Sequence, residues 1–85
     1  MLNIELNGPG EVRMAGRLDA VEAPRAQEVL DKAAGVVTLD CAGLEYISSA
    51  GLGVLLKTHK RLLASSGRMR LASVRPHIRD IFRYS

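Results

Sequence analysis

The β-branched run Val36-Val37-Thr38-Leu39 lies between two stretches whose apolar residues recur at helical spacing. A strand with helices on both sides in sequence cannot form tight hairpins with its neighbours. It needs crossover connections, and these imply parallel pairing. A continuous apolar run further predicts a strand buried on both faces.

Upstream, Leu2 to Leu6 alternates apolar and polar residues, the pattern of a half-buried strand. Asn7-Gly8-Pro9-Gly10 is a dense turn cluster. Val12, Met14 and Gly16 then alternate with Arg13 and Ala15, so the two runs predict an antiparallel hairpin. Beyond Asp19 the period lengthens. Ala20, Val21, Ala23, Ala26, Val29, Leu30 and Ala33 share the face of a helix of about 12 residues. Pro24 fits only in a first turn, which puts the start between Val21 and Pro24. Gly35 stops the helix.

Downstream, Asp40 to Ser48 reads as a loop before a second helix, Ala50 to Ala64. Leu52, Leu55, Leu56, Leu62 and Leu63 make one stripe, with Leu55 and Leu56 expected against the sheet and Lys57, Lys60 and Arg61 outside. Ser65-Ser66-Gly67 ends this helix. Met69 to Val74 is the last predicted strand. Pro76 opens a third helix, with Ile78, Ile81 and Phe82 on its buried side. The order β-β-α-β-α-β-α predicts a single α/β domain over residues 1–85. Its mixed four-stranded sheet begins with the antiparallel hairpin, continues with parallel strands and carries its helices mainly on one face.

Composition narrows the function. One cysteine excludes an internal disulfide and a cysteine-built zinc site. Aromatic residues at 4%, with no Trp, argue against a base-stacking platform for single strands. No apolar stretch approaches the roughly 20 residues needed to cross a bilayer, and the first residues have no secretory pattern, so a cytoplasmic protein without membrane insertion is expected. Residues 57–85 hold eight basic side chains against one acid, whereas residues 1–56 hold four against eight. This asymmetry suggests an acidic partner or nucleic acid, or else simply a set of solvated helix faces. No groove-reading motif accompanies it, so direct nucleic-acid binding is not expected.

The segment Asp40 to Leu52, DCAGLEYISSAGL, is the most informative. Two serines immediately precede a helix, and Ser49 or Ser48 can cap it. The same position has a chemical use. Turns at the carboxyl ends of parallel strands are where such sheets place sites. Free amides and the positive dipole end of a helix favour added negative charge. A hydroxyl there, with small Ala50 and Gly51 beside it, could accept a phosphoryl group.

Four stretches together resemble the STAS domain, the family of bacterial anti-sigma factor antagonists and of the cytoplasmic domains of sulfate transporters. They are Gly16-Arg17-Leu18-Asp19, Val37-Thr38-Leu39-Asp40, Tyr46-Ile47-Ser48-Ser49-Ala50-Gly51-Leu52 and Gly67 through Val74. The resemblance implies a protein-binding regulator rather than an enzyme. It would sequester an anti-sigma factor serine kinase and so free a sigma factor, until phosphorylation of Ser49 ends the binding and a serine phosphatase restores it. Ser48 stands where the family often has Asp, which makes it a second candidate acceptor. Asp19, Ser48, Ser49, Ala50, Gly51 and Leu52 are the implied partner surface, with Ser49 expected nearest the first free amides of the helix. A non-phosphorylated subunit of a transporter or lipid-trafficking complex is the alternative, with Ser49 then only a cap.

Family members usually continue with a last edge strand and a terminal helix, whereas this sequence stops at Tyr84-Ser85. The expectation is a sheet edge at Met69–Val74, open to homodimer formation or of low stability. Other constellations carry less. His59 reads as a partly buried structural residue and His77 as exposed in the first turn of the third helix. Together with Ser49 they make no G-x-S-x-G elbow, so no hydrolase is expected. Cys41 reads as a small buried hydrophobe. No cofactor or metal motif is present, and none is expected.

Overall fold

A computed structural model describes residues 1–83 of the chain; Tyr84 and Ser85, at which the sequence stops, lie outside the described residues. The elements are β1 (Leu2–Leu6), β2 (Glu11–Leu18), α1 (Ala23–Leu30), β3 (Val36–Ile47), α2 (Ser49–Ala64), β4 (Arg68–Ala72) and α3 (Pro76–Arg83). The strands form one sheet in the order β1-β2-β3-β4. The first pair is antiparallel, and β2–β3 and β3–β4 are parallel. This is the α/β arrangement that the alternation of periods predicts.

Each parallel connection steps one strand in the same direction across the sheet. Right-handed crossovers of that kind put both connecting helices on one face. Accordingly α1 and α2 touch, with Gln27 Nε2 donating to Thr58 Oγ1 at 3.2 Å. Arg61 donates to the carbonyls of Leu30 and Ala33 at 2.9 and 2.8 Å, closing the C-terminal end of α1. Val12, Met14, Leu18, Leu30, Leu39 and Leu44 fill the core beneath the helices with no exposed surface.

The other face of the sheet is open, and this corrects the reading of Val36–Leu39 as buried on both sides. Val36 is 48% exposed while Val37 and Leu39 are fully buried. This stretch is half-buried although it carries no charged residue.

The segment Asp40–Ser48 is not a loop. β3 runs on to Ile47, which pairs with Leu18. Two irregularities let it do so. Between the pairs Arg13↔Asp40 and Ala15↔Gly43, and again between Gly16↔Leu44 and Arg17↔Tyr46, β3 carries one residue more than β2. These are bulges, and they shift the buried positions from Val37, Leu39 and Cys41 to Leu44 and Ile47, a spacing of three instead of two. Gly16 supplies the matching distortion in β2. Its φ of +95° suits glycine, and a Cβ there would collide with the Met1 carbonyl.

Two other expectations change. α1 begins at Ala23 and is eight residues long, and Val21 is 85% exposed rather than part of its buried face. In α2 the buried residues are Gly51, Val54, Leu55, Thr58 and Leu62. Leu56 and Leu63, expected inside, are 55% and 53% exposed. The contacts with α1 turn the helix toward that neighbour, which moves the far side of the leucine stripe outward. The strand expected at Met69–Val74 is Arg68–Ala72, and Ser73 has a φ of +58° that takes it out of extended geometry.

Candidate functional site

β3 passes into α2 with a single intervening residue. Ile47 ends the strand, Ser48 is the N-cap and Ser49 is the first helical residue. Three bonds fix Ser48. Its N–H donates to the Leu18 carbonyl at 2.9 Å, its carbonyl accepts from the Leu52 N–H at 2.9 Å, and its Oγ accepts from the Gly51 N–H at 3.2 Å. The cap is therefore Ser48, and the expectation that Ser49 lies nearest the free amides is corrected. The extended backbone of Ser48 (ψ 173°) folds its side chain back over the first turn. Ser49 already has helical backbone, and its side chain points outward. Ser48 is half-buried, whereas Ser49 and Ala50 are exposed.

Gly51 has a packing reason. A Cβ there would stand 2.6 Å from the Leu18 carbonyl oxygen and 2.9 Å from Ile47 Cγ1. The first turn of α2 lies directly on the ends of β2 and β3, and only glycine allows that approach. Leu52, the last residue of the motif, is half-buried and packs against the core.

Asp19 follows Leu18 at the same end of the sheet and is half-buried. Its Oδ1 accepts from the Glu22 N–H at 3.1 Å, which holds the turn into α1. The Glu22 carboxylate in turn accepts from the Leu2 N–H at 2.6 Å and from Arg25 at 3.2 Å, and Arg25 also donates to the Leu2 carbonyl. The Leu2 amide bond and then the Arg25 guanidinium hold the Glu22 carboxyl below its ordinary range. Beside it, Met1, Asp19, Val21 and Glu22 line a shallow open depression.

The first turn of α2 contains no acidic side chain, so its positive dipole end is not neutralised from within the helix. Ser49 is thus an exposed hydroxyl on an electropositive helix end, close to the rigid ends of two parallel strands.

The sequence reading missed a pair that borders this surface. Arg17 lies over the Tyr46 ring, 4.2 Å from its centroid. The two residues are partners in the β2–β3 register, one position before Leu18 and Ile47. Had Glu45 and Tyr46 been read as strand residues, the pairing could have been anticipated.

The histidines do not join the serines. His77 Nε2–H donates to the Glu45 carbonyl at 2.7 Å. His59 is ten residues along α2 from Ser49, about 15 Å at 1.5 Å per residue, too far for a general base. Cys41 is fully buried, its Sγ 3.6 Å from the Leu39 carbonyl. Burial, with the Asp40 charge adding to it, pushes its thiol up to about 11.

The family model of the STAS domain matches residues 3–85. BtrV of Bordetella bronchiseptica, a candidate anti-sigma factor antagonist, is 42% identical over 67 residues, 79% of this chain and 57% of BtrV. The chain spans little more than half the length of that curated relative. Among solved structures, the anti-sigma factor antagonist SpoIIAA in its unphosphorylated form superimposes with a TM-score of 0.75 at 19% identity, over 100% of this chain and 84% of that one. The phosphorylated form of SpoIIAA, a Bacillus cell fate determinant, gives 0.76 at 21% identity, over 99% and 82%. At these identities the likeness shows the fold.

Proposed function

Because the chain belongs to the STAS domain family, we propose that it is a phosphorylation-switched antagonist of an anti-sigma factor. In this reading the unmodified protein binds an anti-sigma factor serine kinase and frees a sigma factor. The kinase transfers a phosphoryl group to Ser49, and a phosphatase removes it. The contact surface is the end of the molecule that carries Asp19, Ser48, Ser49, Ala50, Gly51 and Leu52.

The observation that carries this reading is the division of labour between the two serines. The Ser48 hydroxyl is engaged by the Gly51 amide, while Ser49 is exposed at the start of α2. A phosphate on Ser49 adds about −1.5 to −2 charges. It would sit at a favourable helix end, so the fold tolerates it. Its effect falls on the partner, through charge repulsion and the cost of desolvating a dianion in the interface. Phosphorylation of Ser48 would instead displace the capping bond. BtrV, a candidate anti-sigma factor antagonist, and SpoIIAA, an anti-sigma factor antagonist with an unphosphorylated and a phosphorylated form, support the reading.

The test is phosphopeptide mass spectrometry of the protein recovered from its native cells, paired with calorimetric titration of a co-encoded anti-sigma kinase. Phosphate on Ser49, retained binding by Ser49→Ala and weakened binding by Ser49→Asp are the expected results. Phosphate that persists in Ser49→Ala assigns the acceptor to Ser48. Absence of phosphate from both serines refutes the switch and favours a non-phosphorylated transporter or lipid-trafficking subunit.

A further inference from the structure

We propose that the groove between α2, β4 and α3 is a second docking site, which takes an acidic amphipathic helical segment of a partner protein. The proposal goes beyond the switch and does not depend on phosphorylation of Ser49.

The groove exists because α2 turns its buried face toward α1. Its opposite flank, Leu52, Leu56 and His59, is left as a wall. Met69 and Leu71 of β4 form the floor, and Phe82 of α3 closes the other side. The space is about 320 Å³. Leu63, 53% exposed, continues the apolar line one turn further along α2. From Leu52 to Leu63 the line extends about 16 Å at 1.5 Å per residue, the length of a three-turn helix rather than of a compact ligand. Apolar anchors spaced by three and four residues on such a helix match a groove walled by another helix.

The charges on its walls identify the chemistry. Lys60 follows Leu56 by one turn and Arg79 precedes Phe82 by one turn, so a cation stands on each wall. Both are exposed, and neither side chain forms an ion pair or hydrogen bond among the described residues. Among the described residues the groove lining contains no acid. Apolar floor and basic walls call for an apolar helix face flanked by carboxylates. This gives a role to Lys60 and Arg79, two of the eight basic residues of the C-terminal third, which the Ser49 surface does not use.

The probes are three synthetic peptides of four helical turns. One presents leucines at i, i+3, i+4 and i+7 with glutamates elsewhere, one replaces the glutamates by lysines, and one permutes the acidic sequence. Each is titrated into the isotope-labelled protein by NMR and fluorescence anisotropy. The acidic amphipathic peptide should bind, with shifts confined to Leu52–Leu63, β4 and Phe82. Affinity should fall with added salt. Leu56→Asp should weaken it roughly tenfold or more. Lys60→Glu with Arg79→Glu, at exposed positions that leave the fold intact, should shift the preference to the lysine peptide. Equal binding of all three peptides, shifts elsewhere, or no binding at millimolar peptide overturns the proposal. Sedimentation of the protein alone supplies a further check. A dimer that Leu56→Asp dissolves would give the groove to a second copy of this chain and overturn it equally.

Discussion

Ser48 Oγ accepts the Gly51 amide hydrogen at 3.2 Å, so of two chemically identical neighbours Ser48 is held in the helix cap while Ser49 stands the more exposed. Loss of an N-cap oxygen typically costs about 1 kcal/mol. Ser48→Ala should therefore destabilise the protein by about that amount, whereas Ser49→Ala, at an exposed position, should stay within about 0.5 kcal/mol. Urea denaturation of both variants measures the difference. Equal losses would mean that Ser49 shares the cap.

Gly51 and Gly53, two residues apart on α2, should respond to alanine with opposite signs. At Gly53 no atom of the described residues lies within 4 Å of an added Cβ, and the position is exposed. Gly53→Ala should stabilise by about 0.5–1 kcal/mol through helix propensity alone. At Gly51 the added carbon meets the Leu18 carbonyl at 2.6 Å, and backbone cannot move aside as a side chain does. Gly51→Ala should cost about 1–3 kcal/mol. It should also lengthen the Ser48–Leu18 bond, which would appear as faster amide exchange at Ser48.

Adjacent leucines on α2 should differ just as clearly. Leu55 is 2% exposed and Leu56 is 55% exposed. Leu55→Ala should cost about 2–5 kcal/mol in thermal or chemical unfolding. Leu56→Ala should change stability by under about 0.5 kcal/mol.

The element order was legible in the sequence because each element has its own period. Which flank of α2 faces inward was not. Its leucines span an arc wide enough for either orientation, and the choice is made by Thr58 and Arg61 meeting α1, contacts with no signature in a single sequence. The second half of β3 was hidden for a related reason. Two bulges change its buried spacing to three, so Leu44 and Ile47 do not read as a strand. Of the site, the serine pair, Gly51 and their closeness to the Asp19 turn follow from the motif. The identity of the capping serine depends on one residue of backbone geometry, which the motif does not encode.

Cys41 makes stability dependent on alkaline pH. Its thiol is raised from 9.0 to about 11 by burial and the Asp40 charge. Above the ordinary thiol range the unfolded chain loses this proton while the native state keeps it, so the native state binds more protons. Stability from this group is fully present below about pH 9 and falls between about pH 9 and 11. Cys41→Ala should flatten that part of the pH profile in denaturant titrations. Thiol modification at pH 8 should be slow in buffer and complete within the unfolding time in urea.

The one-residue passage from β3 to α2 leaves the serines no slack. Acceptor hydroxyls on mobile segments can be drawn into an enzyme's cleft as extended chain, but Ser48 is tied to Leu18, Gly51 and Leu52 at once, and Ser49 is already inside the helix. An enzyme that modifies Ser49 must accommodate the folded junction of β3 and α2 and read its shape. Local sequence alone would then be a poor substrate. Under the proposed switch, only a correctly folded copy of the protein would be modified.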